Sequence, residues 1–141
     1  MRETDEAVVV MRRLGRERAL LCGERESRLI PGFDLDNSPA SYVRERVEGK
    51  TLVLTTTNGT RALIAAQGAA DIIVACYANL SAVTAMLRSA LRGGTDVVIV
   101  CAGQDGHYAL EDAACAGRFV RMVTRRLSGV AMNDAAHSCA L

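Results

Sequence analysis

Apolar positions along this chain keep two rhythms, and the alternation between them predicts the architecture. From about Asp5 to Arg18, Ala7, Val8, Met11 and Leu14 recur at helical spacing with charges opposite, so a helix is expected. Ala19-Leu-Leu-Cys22 is a continuous apolar run, read as a first strand that ends in Gly23-Glu24-Arg25. After a polar loop to Asn37, Ser38-Pro39 supplies a cap and a first-turn proline for a helix carrying Tyr42, Val43 and Val47, which Gly49 stops. Leu52, Val53 and Leu54 read as a short buried strand, the central one. Thr55-Thr56-Thr57, an Asn58-Gly59 turn and Thr60 as N-cap then lead into a helix to about Gln67. Asp71 to Cys76 and Asp96 to Cys101 read as two further strands. Helices are expected from Asn79 or Ser81 to Leu91 and from about Tyr108 to Leu127. Gly117, inside the latter, costs up to about 1 kcal/mol against Ala and so points to close packing. Asn133-Asp134 opens one more helix that stops without a cap, as though the chain ended before its fold does.

Apolar strands separated by helices predict a three-layer α/β/α arrangement with a mainly parallel sheet of about four strands, in a single domain over residues 1–141. The C-terminal strand ends of such a sheet share one edge, where ligands bind. Composition adds limits. Half the residues are hydrophobic but only 4% are aromatic, so small side chains must fill a closely packed interior. A net charge of +1, with acids and bases interspersed, offers no field for nucleic acid and favours a small-molecule partner. No apolar run approaches a membrane span and the first residues are acidic, which fits a cytoplasmic protein with no membrane partner. Five cysteines without C-x-x-C spacing fit reduced, buried thiols.

The candidate chemistry lies at the expected strand ends. At the Thr51 to Ala62 corner, free backbone N–H groups, hydroxyls and the Arg61 guanidinium converge, which suits an anion; an ordinary capped connection is the competing reading. Glu24, Arg25, Asp34, Asp36, Glu111 and Asp112, taken singly, read as ion pairs or helix caps. Gathered at one edge with that corner, they suit a phosphate ester, with Mg2+ taking one or two carboxylates and phosphate oxygens.

Gly23-Glu24-Arg25, Gly32 to Pro39, Thr55 to Ala62, and Cys101-Ala102-Gly103 with Glu111-Asp112 and Ala116-Gly117 resemble, in order, the signature blocks of the 2-phosphosulfolactate phosphatase family. Those enzymes are magnesium-dependent phosphohydrolases that release sulfolactate in coenzyme M biosynthesis. The resemblance implies hydrolysis of a small anionic phosphoester, 2-phosphosulfolactate or similar, with Asp34, Glu111 and Arg61 catalytic. It implies substrate contacts from Arg25, Asn37, Ser38, Thr57, Asn58, Gly59, Thr60 and Arg61, and metal ligands among Glu24, Asp34, Glu111 and Asp112. Asp36 stands where the family has a glycine. Family members are longer, beginning with a strand that has no counterpart before Met1, so a truncated version of the fold is expected. The alternative is a non-catalytic anion-binding remnant or subunit, and a homo-oligomer stays open.

Overall fold

A computed structural model describes residues 4–141. They fall into two compact units, Met1–Ala65 and Ala66–Leu141, and each is taken by itself.

In the first unit, α1 (Thr4–Leu14) carries Asp5 and Glu6 in its first turn and Arg12 and Arg13 in its last, both favourable to the helix dipole. Ala7 and Met11, one turn apart, are buried against the sheet. Gly15 ends the helix in a left-handed conformation, φ +86°, four residues before β1 (Ala19–Arg25). β1 lies between β2 (Arg28–Leu29), which is antiparallel to it, and β3 (Thr51–Thr55), which is parallel. Ala7, Met11, Ala19, Leu21, Ile30, Phe33 and Val53 form the core. Between β2 and β3, a 3-10 turn at Pro39–Ser41 precedes the one-turn α2 (Arg44–Val47), and α3 (Gly59–Ala65) closes the unit.

Three expectations change here. The segment begun by Ser38-Pro39 is not one helix: Tyr42 and Val43 leave helical geometry between the 3-10 turn and α2. The Tyr42 hydroxyl instead donates to the Asp36 carbonyl at 2.6 Å and pins the turn to the preceding loop. β3 is an edge strand rather than the central one, and it is buried on one face only. Val53 and Thr55 point inward while Leu52 and Leu54 are about 40% exposed, the period-two pattern of a half-covered strand.

In the second unit, α4 (Leu80–Arg92) packs on α5 (Leu110–Thr124), and α5 on α6 (Asp134–Cys139). The close packing read from Gly117 is present: a methyl group there would run into the Cys139 carbonyl oxygen of α6. Asn133 caps α6 by accepting the Ala136 N–H at 2.9 Å. The apolar runs at 71–76 and 96–101 form no strand. A strand exists only where a neighbour takes its backbone hydrogen bonds, and among the described residues none does so here. Val74, Val98 and Val100 are 66%, 82% and 56% exposed. Among the described residues the sheet therefore has three strands instead of four and is mixed. Of the cysteines, all reduced, Cys22 alone is buried; Cys76 and Cys101 are exposed, against the expectation of core thiols. Burial pushes the Cys22 thiol up, which keeps it protonated. Among the described residues no helix is long and apolar enough to cross a membrane.

Candidate active site

With 71–76 and 96–101 outside any strand, the expected edge of four strand ends reduces to the ends of β1 and β3. Their register sets Gly23 beside Thr55, and a side chain at Gly23 would collide with the Thr55 carbonyl oxygen. Glycine thus lets the strands close, and the next residues, Glu24 and Arg25, emerge at the corner.

Glu24 is buried, and its carboxylate accepts the Thr57 N–H at 2.8 Å, the Thr57 hydroxyl at 3.2 Å and the Ser27 N–H at 2.9 Å. Burial alone would raise its pKa, but these donors and the neighbouring Arg25 outweigh burial and hold it below the usual carboxylate range. The corner read from sequence as open to an anion thus already holds an internal one at Thr57. Beside it, Arg25 donates to the Thr55 hydroxyl at 3.0 Å and to the Glu24 carbonyl at 2.8 Å. Of its five N–H donors, two groups are used in this way, from a half-buried position.

Thr60 is buried and belongs to α3 rather than capping it. Thr56 does the capping: its hydroxyl accepts the Thr60 N–H at 3.1 Å, while the Thr60 hydroxyl donates to the Thr56 carbonyl at 3.0 Å. Asn58 accepts the backbone N–H groups of Arg61 and Ala62 on its carbonyl, and Gly59 is the first residue of α3. Arg61, on the first turn of α3, is exposed and has no ion pair among the described residues.

Asp34 is placed differently. Its carboxylate accepts the Leu21 N–H at 2.8 Å and lies 3.8 Å from Arg16, so it is tied to the middle of β1 and not to the strand ends. Asn37 is exposed, and the Ser38 N–H donates to Asp36 at 3.0 Å; Asp36 also accepts the Ser41 hydroxyl at 2.9 Å and so folds the loop on itself. The first unit therefore brings together Glu24, Arg25 and Thr57 with Thr55, whose role the site prediction missed. Only a strand register could have revealed it.

In the second unit, Glu111 and Asp112 stand in the first turn of α5. Asp112 accepts the Gly103 N–H at 2.7 Å, which fixes the 101–106 loop, while Glu111 is exposed. Among the described residues no three His, Cys, Asp or Glu side chains are grouped to hold a metal ion. Glu24 and Asp34 spend their carboxylates on backbone N–H groups, whereas Glu111 and the second oxygen of Asp112 remain available.

A sequence model of the family described as 2-phosphosulpholactate phosphatase matches residues 1–141. The chain is 46% identical over 115 residues to a probable 2-phosphosulfolactate phosphatase of Caldanaerobacter subterraneus subsp. tengcongensis, an alignment covering 82% of the chain and 46% of that protein. Identity to the protein of the same description from Thermotoga maritima is 43% over 123 residues, 87% of the chain and 50% of the relative. For Clostridium beijerinckii it is 34% over 137 residues, 97% of the chain and 56% of the relative. The chain spans about half the length of the curated relatives it matches.

Proposed function

The chain belongs to the 2-phosphosulpholactate phosphatase family, and we propose that it serves hydrolysis of a small, highly anionic phosphoester, 2-phosphosulfolactate or a close analogue, to sulfolactate and phosphate. The observations that carry this reading are the Arg25 guanidinium at the end of β1, braced by Thr55, and the Arg61 guanidinium in the first turn of α3, unpaired among the described residues. A substrate with a phosphate and a second acid group needs two such forks, because each guanidinium binds two anionic oxygens in a plane. Arg25 comes with little rotamer freedom left to lose, and Arg61 keeps all five donors for the ligand. Glu24 acts on the corner rather than on substrate. Ionised and buried, it holds Thr57 and so sets where α3 begins and where Arg61 leaves it.

Hydrolysis transfers the phosphoryl group to water, breaks its ester bond to oxygen and returns a proton to the sulfolactate hydroxyl. Magnesium, when bound, offsets charge on the transferring group and takes one or two carboxylates. Of the acids expected to bind it, Glu111 and one oxygen of Asp112, both in the second unit, are not spent on backbone N–H groups, and Asp34 is a positioning residue for β1. Phosphate release from 2-phosphosulfolactate and from 2-phospholactate, which lacks the sulfonate, tests the reading. A kcat/KM at least about tenfold higher for the sulfonated ester is expected, since a charge-assisted contact contributes on the order of 1.5–3 kcal/mol. Equal turnover of both would show that the sulfonate is not what the second guanidinium recognises.

A further inference from the structure

The second unit carries an uncompensated concentration of positive charge that the phosphatase reading does not use. A cleft of about 550 Å³ along α4 and α5 is lined by Arg88, Arg118, Arg121, Arg125 and Arg126. No Asp or Glu occurs from Leu80 to Thr95 or from Ala113 to Asn133, so neither wall of the cleft supplies a counter-charge. The ion pairs among the described residues, Arg16–Asp34 and Arg44–Glu48, involve none of the five.

A basic side chain in the last turn of α5 suits the helix dipole, but several together repel one another. Arg118, Arg121 and Arg125 follow one another at spacings of three and four, which puts them on one face at the end of α5. Like charges at those spacings weaken a helix, and Arg118, Arg121, Arg125 and Arg126 are all exposed rather than packed. Arg88 has a different part. It is half-buried and donates to the carbonyls of Met122 and Val123, in the last turn of α5. Carbonyls there lack helical partners and present the negative end of the helix dipole. Arg88 covers the two of Met122 and Val123, which lessens the repulsion an anion in the cleft would meet.

We propose that this cleft binds a small oligophosphate, an anion with two or more linked phosphoryl groups. Four exposed guanidinium groups, each a planar fork for two oxygens, exceed what a single phosphate can engage. The volume lies in the range of small-molecule sites. Either an inorganic oligophosphate or the phosphate tail of a nucleotide carries this chemistry.

Calorimetric titration of the full chain with inorganic tripolyphosphate, pyrophosphate, monophosphate and ATP tests it, with Arg118→Gln/Arg121→Gln, Arg125→Gln/Arg126→Gln and Arg61→Gln as variants. Tripolyphosphate should bind at least tenfold more tightly than monophosphate. Either double substitution should weaken this tighter event at least tenfold, and Arg61→Gln should remove only the weaker phosphate event assigned to the corner after β3. The second pair lies beyond the last helical residue, Thr124, and so keeps the test valid if the first disturbs α5. ATP bound as tightly as tripolyphosphate through the same arginines assigns the site to a nucleotide; ATP excluded while tripolyphosphate binds assigns it to the inorganic ion. No binding of tripolyphosphate, or affinity unchanged in both double variants, overturns the proposal.

Discussion

Replacing Glu24 by Gln removes one charge and leaves the shape of the corner intact. In the native chain the carboxylate accepts from the Thr57 N–H, the Thr57 hydroxyl and the Ser27 N–H. A glutamine oxygen can keep the Thr57 N–H, but its amide nitrogen then faces the Ser27 N–H, donor against donor. A hydrogen bond to a charged group contributes about 1.5–3 kcal/mol, and Ser27 is exposed enough for water to replace its share. The expected loss is therefore about 1–3 kcal/mol at neutral pH, read as a lower urea midpoint with the slope unchanged. The pH dependence carries the sign. Because the folded pKa of Glu24 lies below its ordinary 4.5, the unfolded chain takes up the proton first as pH falls. Stability from this group is present above about pH 4.5 and disappears as pH drops through the lowered folded pKa, so the gap between wild type and variant should narrow as pH falls below 4.5. Equal midpoints at neutral pH, or a gap that persists undiminished at low pH, would refute the role given to this carboxylate.

Gly117→Ala should cost about 1–3 kcal/mol, because the added methyl meets the Cys139 carbonyl and α6 must move off α5; faster hydrogen exchange across Asp134–Cys139 would register it. Thr56→Ala removes the hydroxyl that caps α3 and should lower stability by about 1 kcal/mol in urea unfolding, whereas the same change at exposed Thr51 should do little. Arg61→Lys should weaken phosphate binding nearly as much as Arg61→Ala, by roughly 1.5–3 kcal/mol, with unfolding midpoints unchanged. A large fall in midpoint with anion affinity intact would make Arg61 a structural residue instead.

Helices α1, α4 and α5 were legible because their apolar faces repeat at 3.6 residues and end at glycines or changes of charge. The runs at 71–76 and 96–101 misled for a physical reason: an apolar run reports a tendency to be buried, while a strand also requires a neighbour's backbone. At the candidate site, the Thr55 to Arg61 corner was visible as a change from apolar to hydroxyl-bearing residues. Its internal anion was not, since Glu24 reaches Thr57 across 33 residues and no local pattern encodes that distance. Asp34 failed as a strand-end acid for the same reason. Its partner, the Leu21 N–H, was fixed by the path of the chain after β2 and by no spacing in the sequence.

The most direct test of the account is phosphate release from 2-phosphosulfolactate by the purified chain, followed with added magnesium and again with a chelator. Release should depend on magnesium and fall at least about tenfold in kcat/KM when Arg61 becomes Lys, the equivalent of a lost charge-assisted contact. No release under either condition, or release that neither the chelator nor Arg61→Lys diminishes, would contradict it.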